Sequence, residues 1–121
     1  MVLKSILFVE LLGGIGDLIM ALPAIHGLAR SHPDARITVF SFRPGIELLG
    51  ADPLVSETIG ATKGDLPDGT PRARDELQAI LAEHDFDLVV TDTRYGGIDA
   101  LIEACGARHT ATRLWDKARE D

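Results

Sequence analysis

The sequence predicts a Rossmann-like α/β/α domain, in which one parallel sheet lies between two layers of helices. Residues 5–12 and 86–92 are almost uniformly apolar, as expected for strands covered on both faces. Strand-like and helix-like segments alternate along the chain, and right-handed crossovers between them give a parallel sheet. Because the first and fourth strands are the most apolar, we expect them at the centre, in the strand order 3-2-1-4-5.

The first half of the chain supplies three of the five predicted strands. Apolar residues recur every three or four positions over 17–31, which indicates an amphipathic helix that continues past a bend at Pro23. Apolar, β-branched and turn residues place the other elements. These are strand one at 5–12, strand two at 35–42, a short helix at 44–51 and strand three at 55–61.

The second half repeats the alternation after a polar loop rich in glycine and proline at 62–71. The spacing of Leu77, Ile80 and Leu81 predicts a helix over 72–84. The remaining predicted elements are strand four at 86–92, a helix at 96–106 that ends at Gly106, and strand five at 107–113. The charged last residues are expected to fray. A chain of 121 residues is long enough for one hydrophobic core and too short for two lobes of ordinary size, so residues 1–121 are expected to form a single domain.

Composition restricts the classes of function. With 45% apolar and 26% charged residues the chain should fold, and its net charge of −7 disfavours binding to nucleic acid or to an anionic membrane surface. The amino terminus matches neither a signal peptide nor a spanning helix, so we expect a cytoplasmic protein. The single cysteine, Cys105, has apolar neighbours and is expected to pack as a small buried residue rather than to act as a nucleophile.

Two glycine-containing loops mark the expected ligand site. "GGIGD" (13–17) follows the first strand and "DTRYGG" (92–97) follows the fourth, where the predicted strand order reverses and ligands of such sheets bind. Paired glycines permit positive φ and close approach of another molecule. Neither the G-x-G-x-x-G fingerprint nor a P-loop is present, which argues against NAD or ATP bound here. We therefore expect no cofactor.

Asp17 has two compatible interpretations. It stands at the start of the predicted helix, where a carboxylate accepts backbone hydrogen bonds and is stabilised by the helix dipole. It also stands at the predicted cleft, where a carboxylate can take a proton from a substrate hydroxyl. A base stabilised by a helix terminus suits a nucleophile that loses its proton late in the reaction.

The segment "ILFVELLGGIGDLIMALPAIHGLARSHPDARITVF" resembles the amino-terminal part of glycosyltransferase family 9, the heptosyltransferase family. The matching features are a strand, a small-residue loop that ends in Gly16-Asp17, a helix with Leu-Pro-Ala at 22–24, and a Pro-Asp-Ala turn at 33–35. The later "FDLVVTDTR" and "IEACGARHTATR" extend the resemblance over nearly the whole chain.

This resemblance implies the amino-terminal, acceptor-side half of a GT-B enzyme, with no metal requirement and inversion at the sugar carbon. Asp17 would be the general base. From their positions in the two loops, the amides of Gly13, Gly14 and Gly16 could contact a phosphate or diphosphate of the substrate. Asp92 and Arg94 could hold acceptor hydroxyls or phosphate, and a surface ion pair or a loop cap is an equal alternative for these two residues. The acceptor would be a glycan or a lipid-linked saccharide such as lipopolysaccharide in a bacterial cytoplasm, at the inner face of the membrane.

The donor would be a nucleotide-sugar, typically an ADP-sugar, held mainly by a carboxyl-terminal domain absent from these residues. The isolated chain would then be inactive. The surface that docks the other domain would be apolar, which would let two copies of the chain associate.

The sequence departs from the family in two places. Leu11 stands where many members have a basic residue, and Gly13 and Gly14 stand where they have serines. The alternative is therefore a free-standing Rossmann-like binding module without catalysis. Four further residues, His26, Arg43, Tyr95 and Trp115, are expected mainly in structural or surface roles.

Overall fold

A computed structural model of the chain describes residues 2–12, 14–62, 70–93 and 97–112. Its elements are, in chain order, β1 (Ser5–Glu10), α1 (Ile15–Ser31), β2 (Arg36–Phe42), a 3₁₀ helix (Gly45–Ala51), β3 (Glu57–Ala61), α2 (Thr70–Glu83), β4 (Leu88–Thr91), α3 (Ile98–Glu103) and β5 (His109–Ala111). No helix within these ranges is both long enough and apolar enough to cross a membrane.

The five strands form one parallel sheet in the order β3-β2-β1-β4-β5. This confirms the predicted fold class and strand order. β1 lies at the centre because its side chains are buried on both faces of the sheet, from Ile6 to Glu10. The carboxyl ends of β1, β2 and β4 consequently meet at one edge, which we call the carboxyl edge.

Each face of the sheet carries its own apolar core. On one face α1 and the 3₁₀ helix pack against alternate strand residues such as Phe8, Val39 and Val90. On the other face α2 and α3 pack against the intervening strand residues, such as Leu7 of β1 and Val89 of β4. The predicted inward face of α2 is confirmed, since Leu77 is fully buried and Ile80 and Leu81 pack against the same core.

Several elements differ from their predicted bounds for local reasons. α1 begins at Ile15 instead of residue 17, with Gly14 as its N-cap, and it continues through Pro23 as expected. β4 begins at Leu88, two residues later than predicted, and the carboxylate of the preceding Asp87 accepts hydrogen bonds from the amides of Lys4 (2.7 Å) and Ser5 (3.3 Å). The predicted loop is shorter too, since α2 begins at Thr70.

The last helix is shorter than predicted because glycines limit it at both ends. Gly97 precedes α3 with a left-handed φ of +77°, and Gly106, with a φ of +82°, follows its end at Glu103. A glycine adopts such angles without the steric cost that other residues incur. α3 therefore spans only six residues.

His26 links α1 to the end of the 3₁₀ helix. Its Nε2 lies 2.6 Å from Oδ2 of Asp52, and Oδ1 of Asp52 accepts a hydrogen bond of 2.9 Å from the amide of Leu54. The bond to His26 is the main reason that the pKa of Asp52 lies below its ordinary value. Both side chains are partly shielded from solvent, so His26 has a structural role in holding α1 against the 3₁₀ helix.

The pair should contribute to stability in a pH-dependent way. Asp52→Asn is expected to lower the free energy of unfolding at about pH 7 by about 1 kcal/mol, because it removes a charged hydrogen-bond acceptor. A carboxyl group with a lowered folded-state pKa stabilises above its unfolded pKa, and that stabilisation disappears as the pH falls through the folded pKa. Urea denaturation should therefore show the difference shrinking towards about pH 3. Asp75→Asn, a matched change at an exposed position of α2, should show no such trend.

Candidate active site

Three polar side chains lie in one row across the carboxyl edge. Glu10 ends β1 and pairs in register with Ser41 of β2. Val9 pairs with Thr91 at the end of β4, so Asp92 follows at the level of Glu10. The residues two positions earlier on the same strands, Phe8, Val39 and Val90, pack in the core on the α1 side of the sheet. Because side chains two residues apart on a strand point to the same face, the row also lies on the α1 side, near the start of that helix.

Asp17 lies in the first turn of α1, next to this row. Its Oδ2 accepts a hydrogen bond of 3.2 Å from the amide of Gly14, while the side chain remains partly exposed. Gly14 has extended backbone angles, so its conformation does not require glycine. A Cβ at that position would lie only 3.2 Å from the carboxylate oxygen of Asp17. A larger residue at position 14 would therefore require the Asp17 carboxylate to shift by a few tenths of an ångström.

Glu10 is a buried acid, with 1% of its surface exposed. Ser41 Oγ donates to its Oε2 over 2.7 Å, and the amide of Leu12 donates to its Oε1 over 3.0 Å. Burial raises the pKa of Glu10, these two hydrogen bonds oppose that shift, and the charge of Asp17 adds to it. Each oxygen of the carboxyl group thus accepts one hydrogen bond, in a place where burial makes the charged form unfavourable.

Asp92 is also buried, with 9% of its surface exposed. Burial, followed by the charge of Glu10, raises the pKa of Asp92 to about 7, against a weaker opposing hydrogen bond from Thr93. The Thr93 hydroxyl donates to Oδ1 of Asp92 over 3.2 Å and accepts a bond of 2.8 Å from the amide of Leu11. Asp92 therefore changes protonation near neutral pH.

The crevice at this edge is narrow. Glu10, Gly14, Ser41 and Arg43 contribute to its walls, and its volume of about 10 Å³ corresponds to about one water molecule. Arg43 lies on the outer side, 3.3 Å from Glu47 in an exposed ion pair. A larger ligand would have to lie over the rim, where Asp17 is accessible.

The predicted site residues fall into two groups. The structure brings Gly14, Asp17 and Asp92 to the carboxyl edge, with Gly16 exposed in the first turn of α1. Gly13 and Arg94, and also Tyr95 and Trp115, lie outside the described residues. Positive φ is expected in both glycine loops. It occurs at Gly97 in the second loop and not at Gly14 or Gly16 in the first.

The sequence analysis did not assign Glu10 or Ser41 to the site. The available signal was a single carboxylate at the end of an otherwise apolar run, "SILFVELL". An acid in that position is rarely buried without a partner. Its partner Ser41 lies 31 residues away, so the sequence pattern alone did not connect them.

The other described parts of the molecule have fewer groups that could bind a ligand or take part in a reaction. Over the four described ranges, no group of three or more His, Cys, Asp or Glu side chains could hold a metal ion. A cavity of about 250 Å³ lies at the opposite edge of the sheet, between the ends of α2 and α3, and Cys105 is part of its wall. Cys105 is half-buried and packs against the core of that face, as expected for a structural residue.

Comparison with known proteins relates this fold to glycosyltransferases. No protein-family model matches the chain, and no curated protein matches it significantly. Among solved structures, it resembles a glycosyl transferase family 9 protein from Veillonella parvula, with a TM-score of 0.68, 22% identity, and coverage of 91% of this chain and 32% of that one.

Two Escherichia coli structures also match. ADP-heptose LPS heptosyltransferase II has a TM-score of 0.66 and 22% identity, with 88% of this chain and 30% of that chain covered. Heptosyltransferase WaaC with ADP-2-deoxy-2-fluoro heptose has a TM-score of 0.57 and 13% identity, with 88% and 34% covered. The resemblance inferred from the sequence is thus confirmed at the level of the fold, over about a third of the length of each solved chain.

The raised pKa of Asp92 has a measurable effect on stability. An acid with a folded-state pKa near 7 destabilises the fold as pH rises from about 4 to about 7, because the unfolded chain releases its proton first. Asp92→Asn cannot ionise, so its stability relative to wild type should rise over this interval, by at most about 4 kcal/mol. Denaturation at both ends of the interval measures the difference. A constant difference would mean that Asp92 does not titrate in this range.

Proposed function

We propose that this chain is the acceptor-side domain of an inverting, metal-independent glycosyltransferase of family 9. It would help to transfer a sugar, heptose or a similar one, from a nucleotide-sugar to a glycan or lipopolysaccharide-type acceptor. The fold shared with three such structures supports the class of enzyme. The observation that carries the proposal is the partly exposed carboxylate of Asp17 at the carboxyl edge of a parallel sheet, where ligands of such folds bind.

In this proposal Asp17 is the general base. Its Oδ2 is held by the amide of Gly14, which leaves Oδ1 available for the acceptor hydroxyl. The acceptor oxygen would attack the anomeric carbon from the face opposite the nucleotide, and the bond to the nucleotide diphosphate would break with its electron pair. The acceptor proton would pass to Oδ1.

The acceptor would lie over the rim of the narrow crevice. Backbone amides of Gly16, at the start of α1, and of Gly13, which is not among the described residues, would contact it. The amide of Gly14 already donates to Asp17, so Gly14 would contribute only a close approach of the acceptor to the backbone. Asp92 would contribute a carboxyl group that accepts or donates a hydrogen bond near neutral pH. Arg94, also beyond the described residues, remains a proposed acceptor contact.

The nucleotide-sugar, an ADP-sugar by analogy with the names of the two E. coli proteins, would be bound mainly by a second domain. The solved chains are about three times as long as the matched region, which supports a donor domain outside these 121 residues. Near the carboxyl edge three apolar side chains are exposed, those of Leu12, Ile15 and Ile19. They would pack against such a domain or against a second copy of the chain. The isolated chain would then be inactive, and the complete enzyme would work in the cytoplasm.

The test is Asp17→Asn in the chain joined to, or mixed with, a nucleotide-sugar-binding domain. Loss of a general base should lower kcat by about 10²- to 10⁴-fold while the fold, monitored by circular dichroism, is unchanged. Asp34→Asn, in the exposed turn before β2 at the opposite edge of the sheet, is the matched control and should retain full activity. A folded Asp17→Asn variant that transfers sugar at a near-normal rate would contradict the role of Asp17 and favour a binding module without catalysis.

A further inference from the structure

Glu10 is a buried acid to which the proposed chemistry assigns no step. It is among the least exposed side chains of the protein, yet it belongs to a residue type that is almost never fully buried without partners. It also lies close enough to Asp92 and Asp17 for their charges to interact. An apolar residue of similar size would fill this space without the desolvation of a carboxyl group. The position therefore calls for a functional explanation.

The hydrogen bonds of Glu10 connect two parts of the carboxyl edge. One carboxyl oxygen accepts from Ser41 Oγ at the end of β2, and the other accepts from the amide of Leu12, in the turn that leads to α1. Ionised, the group is a pure acceptor, so it satisfies both donors without adding a donor of its own. The turn is thereby attached to β2.

A second contact attaches the same turn on its other side. The amide of Leu11 donates to Thr93 Oγ1 over 2.8 Å, just beyond the end of β4. The turn is thus bonded on both sides: Leu11 directly to Thr93, which follows β4, and Leu12 through Glu10 to Ser41 of β2. Two residues later, Gly14 donates to Asp17. The Asp17 carboxylate is thus bonded to a backbone amide two residues beyond the amide that Glu10 holds.

We propose that Glu10 is a positioning residue for Asp17, acting through the Leu12 amide to hold the turn between β1 and α1. This inference rests on the proposed function, because it gives Glu10 a role in the transfer reaction. Displacement of a reacting group by about 1 Å can lower a rate by about 100-fold. A loose turn should therefore lower kcat more than it lowers the affinity for the nucleotide-sugar, which would be held mainly elsewhere.

The experiment compares Glu10→Met and Glu10→Gln. Methionine fills the space but accepts no strong hydrogen bond, so the Leu12 amide loses its partner. Glutamine keeps one carbonyl oxygen for Leu12, and its NH₂ group can donate to the Ser41 hydroxyl. Glu57→Met, at the exposed first residue of β3, is the control for the same change of side chain.

Two measurements are made on each variant. Amide hydrogen exchange of Leu12 in the 121-residue chain reports the turn, and kcat and KM for the nucleotide-sugar are measured with the donor domain supplied. We expect Glu10→Met to raise the Leu12 exchange rate and to lower kcat by about tenfold or more, with KM nearly unchanged. Glu10→Gln should restore most of kcat, and Glu57→Met should match wild type.

A Glu10→Met variant with wild-type kcat would overturn the inference, as would a loss confined to KM. If Glu10→Met does not fold, Glu10→Gln decides: near-wild-type kcat with a protected Leu12 amide supports the role, and lost activity with a protected amide overturns it. Asp17→Asn separates the two proposals. Near-normal sugar transfer by Asp17→Asn would contradict the proposed function itself. An inactive Asp17→Asn together with a fully active Glu10→Met would contradict only the role of Glu10.

Discussion

The central position of β1, paired with β2 on one side and β4 on the other, is the constraint on which the candidate site depends. Parallel pairing makes the three strands end together, so that residues far apart in sequence lie in one row. Glu10, Ser41 and Asp92 meet in this way, and α1 begins directly beside them. A shift of one residue in either register would turn a polar side chain of this row to the other face of the sheet.

The edge that results is electrostatically unfavourable and well hydrogen-bonded. Two of its carboxyl groups, those of Glu10 and Asp92, are removed from water. Burial raises the pKa of both, and the charge of Glu10 raises the pKa of Asp92 further. Ser41, Thr93 and the amide of Leu12 offset part of that cost. No buried side-chain oxygen or nitrogen among the described residues lacks a hydrogen-bond partner. Such an arrangement at the ligand-binding edge of an α/β sheet is more typical of a functional site than of packing.

Asp17 combines the two roles that its position allows. Its bond to Gly14 stabilises the start of α1, and the side chain is still partly exposed to solvent. The first role places the carboxylate, and the second makes it available to a substrate. Glu10 extends this arrangement inward, since the turn it holds leads to the helix that carries Asp17. Structural and proposed catalytic functions therefore depend on the same few hydrogen bonds.

The sequence by itself determined the fold class, the strand order and the place of Asp17, because apolar runs and helical spacing report burial directly. It predicted β4, α3 and β5 to be longer than they are, and α3 begins only after the left-handed Gly97. Only the tertiary structure revealed Glu10 as part of the site and showed Asp92 to be buried. The physical reason is that their surroundings come from other strands: Ser41 is 31 residues from Glu10, and Thr93 is 82 residues from Leu11. Pairing across a sheet, unlike periodicity along the chain, leaves no local pattern from which such partners could be identified.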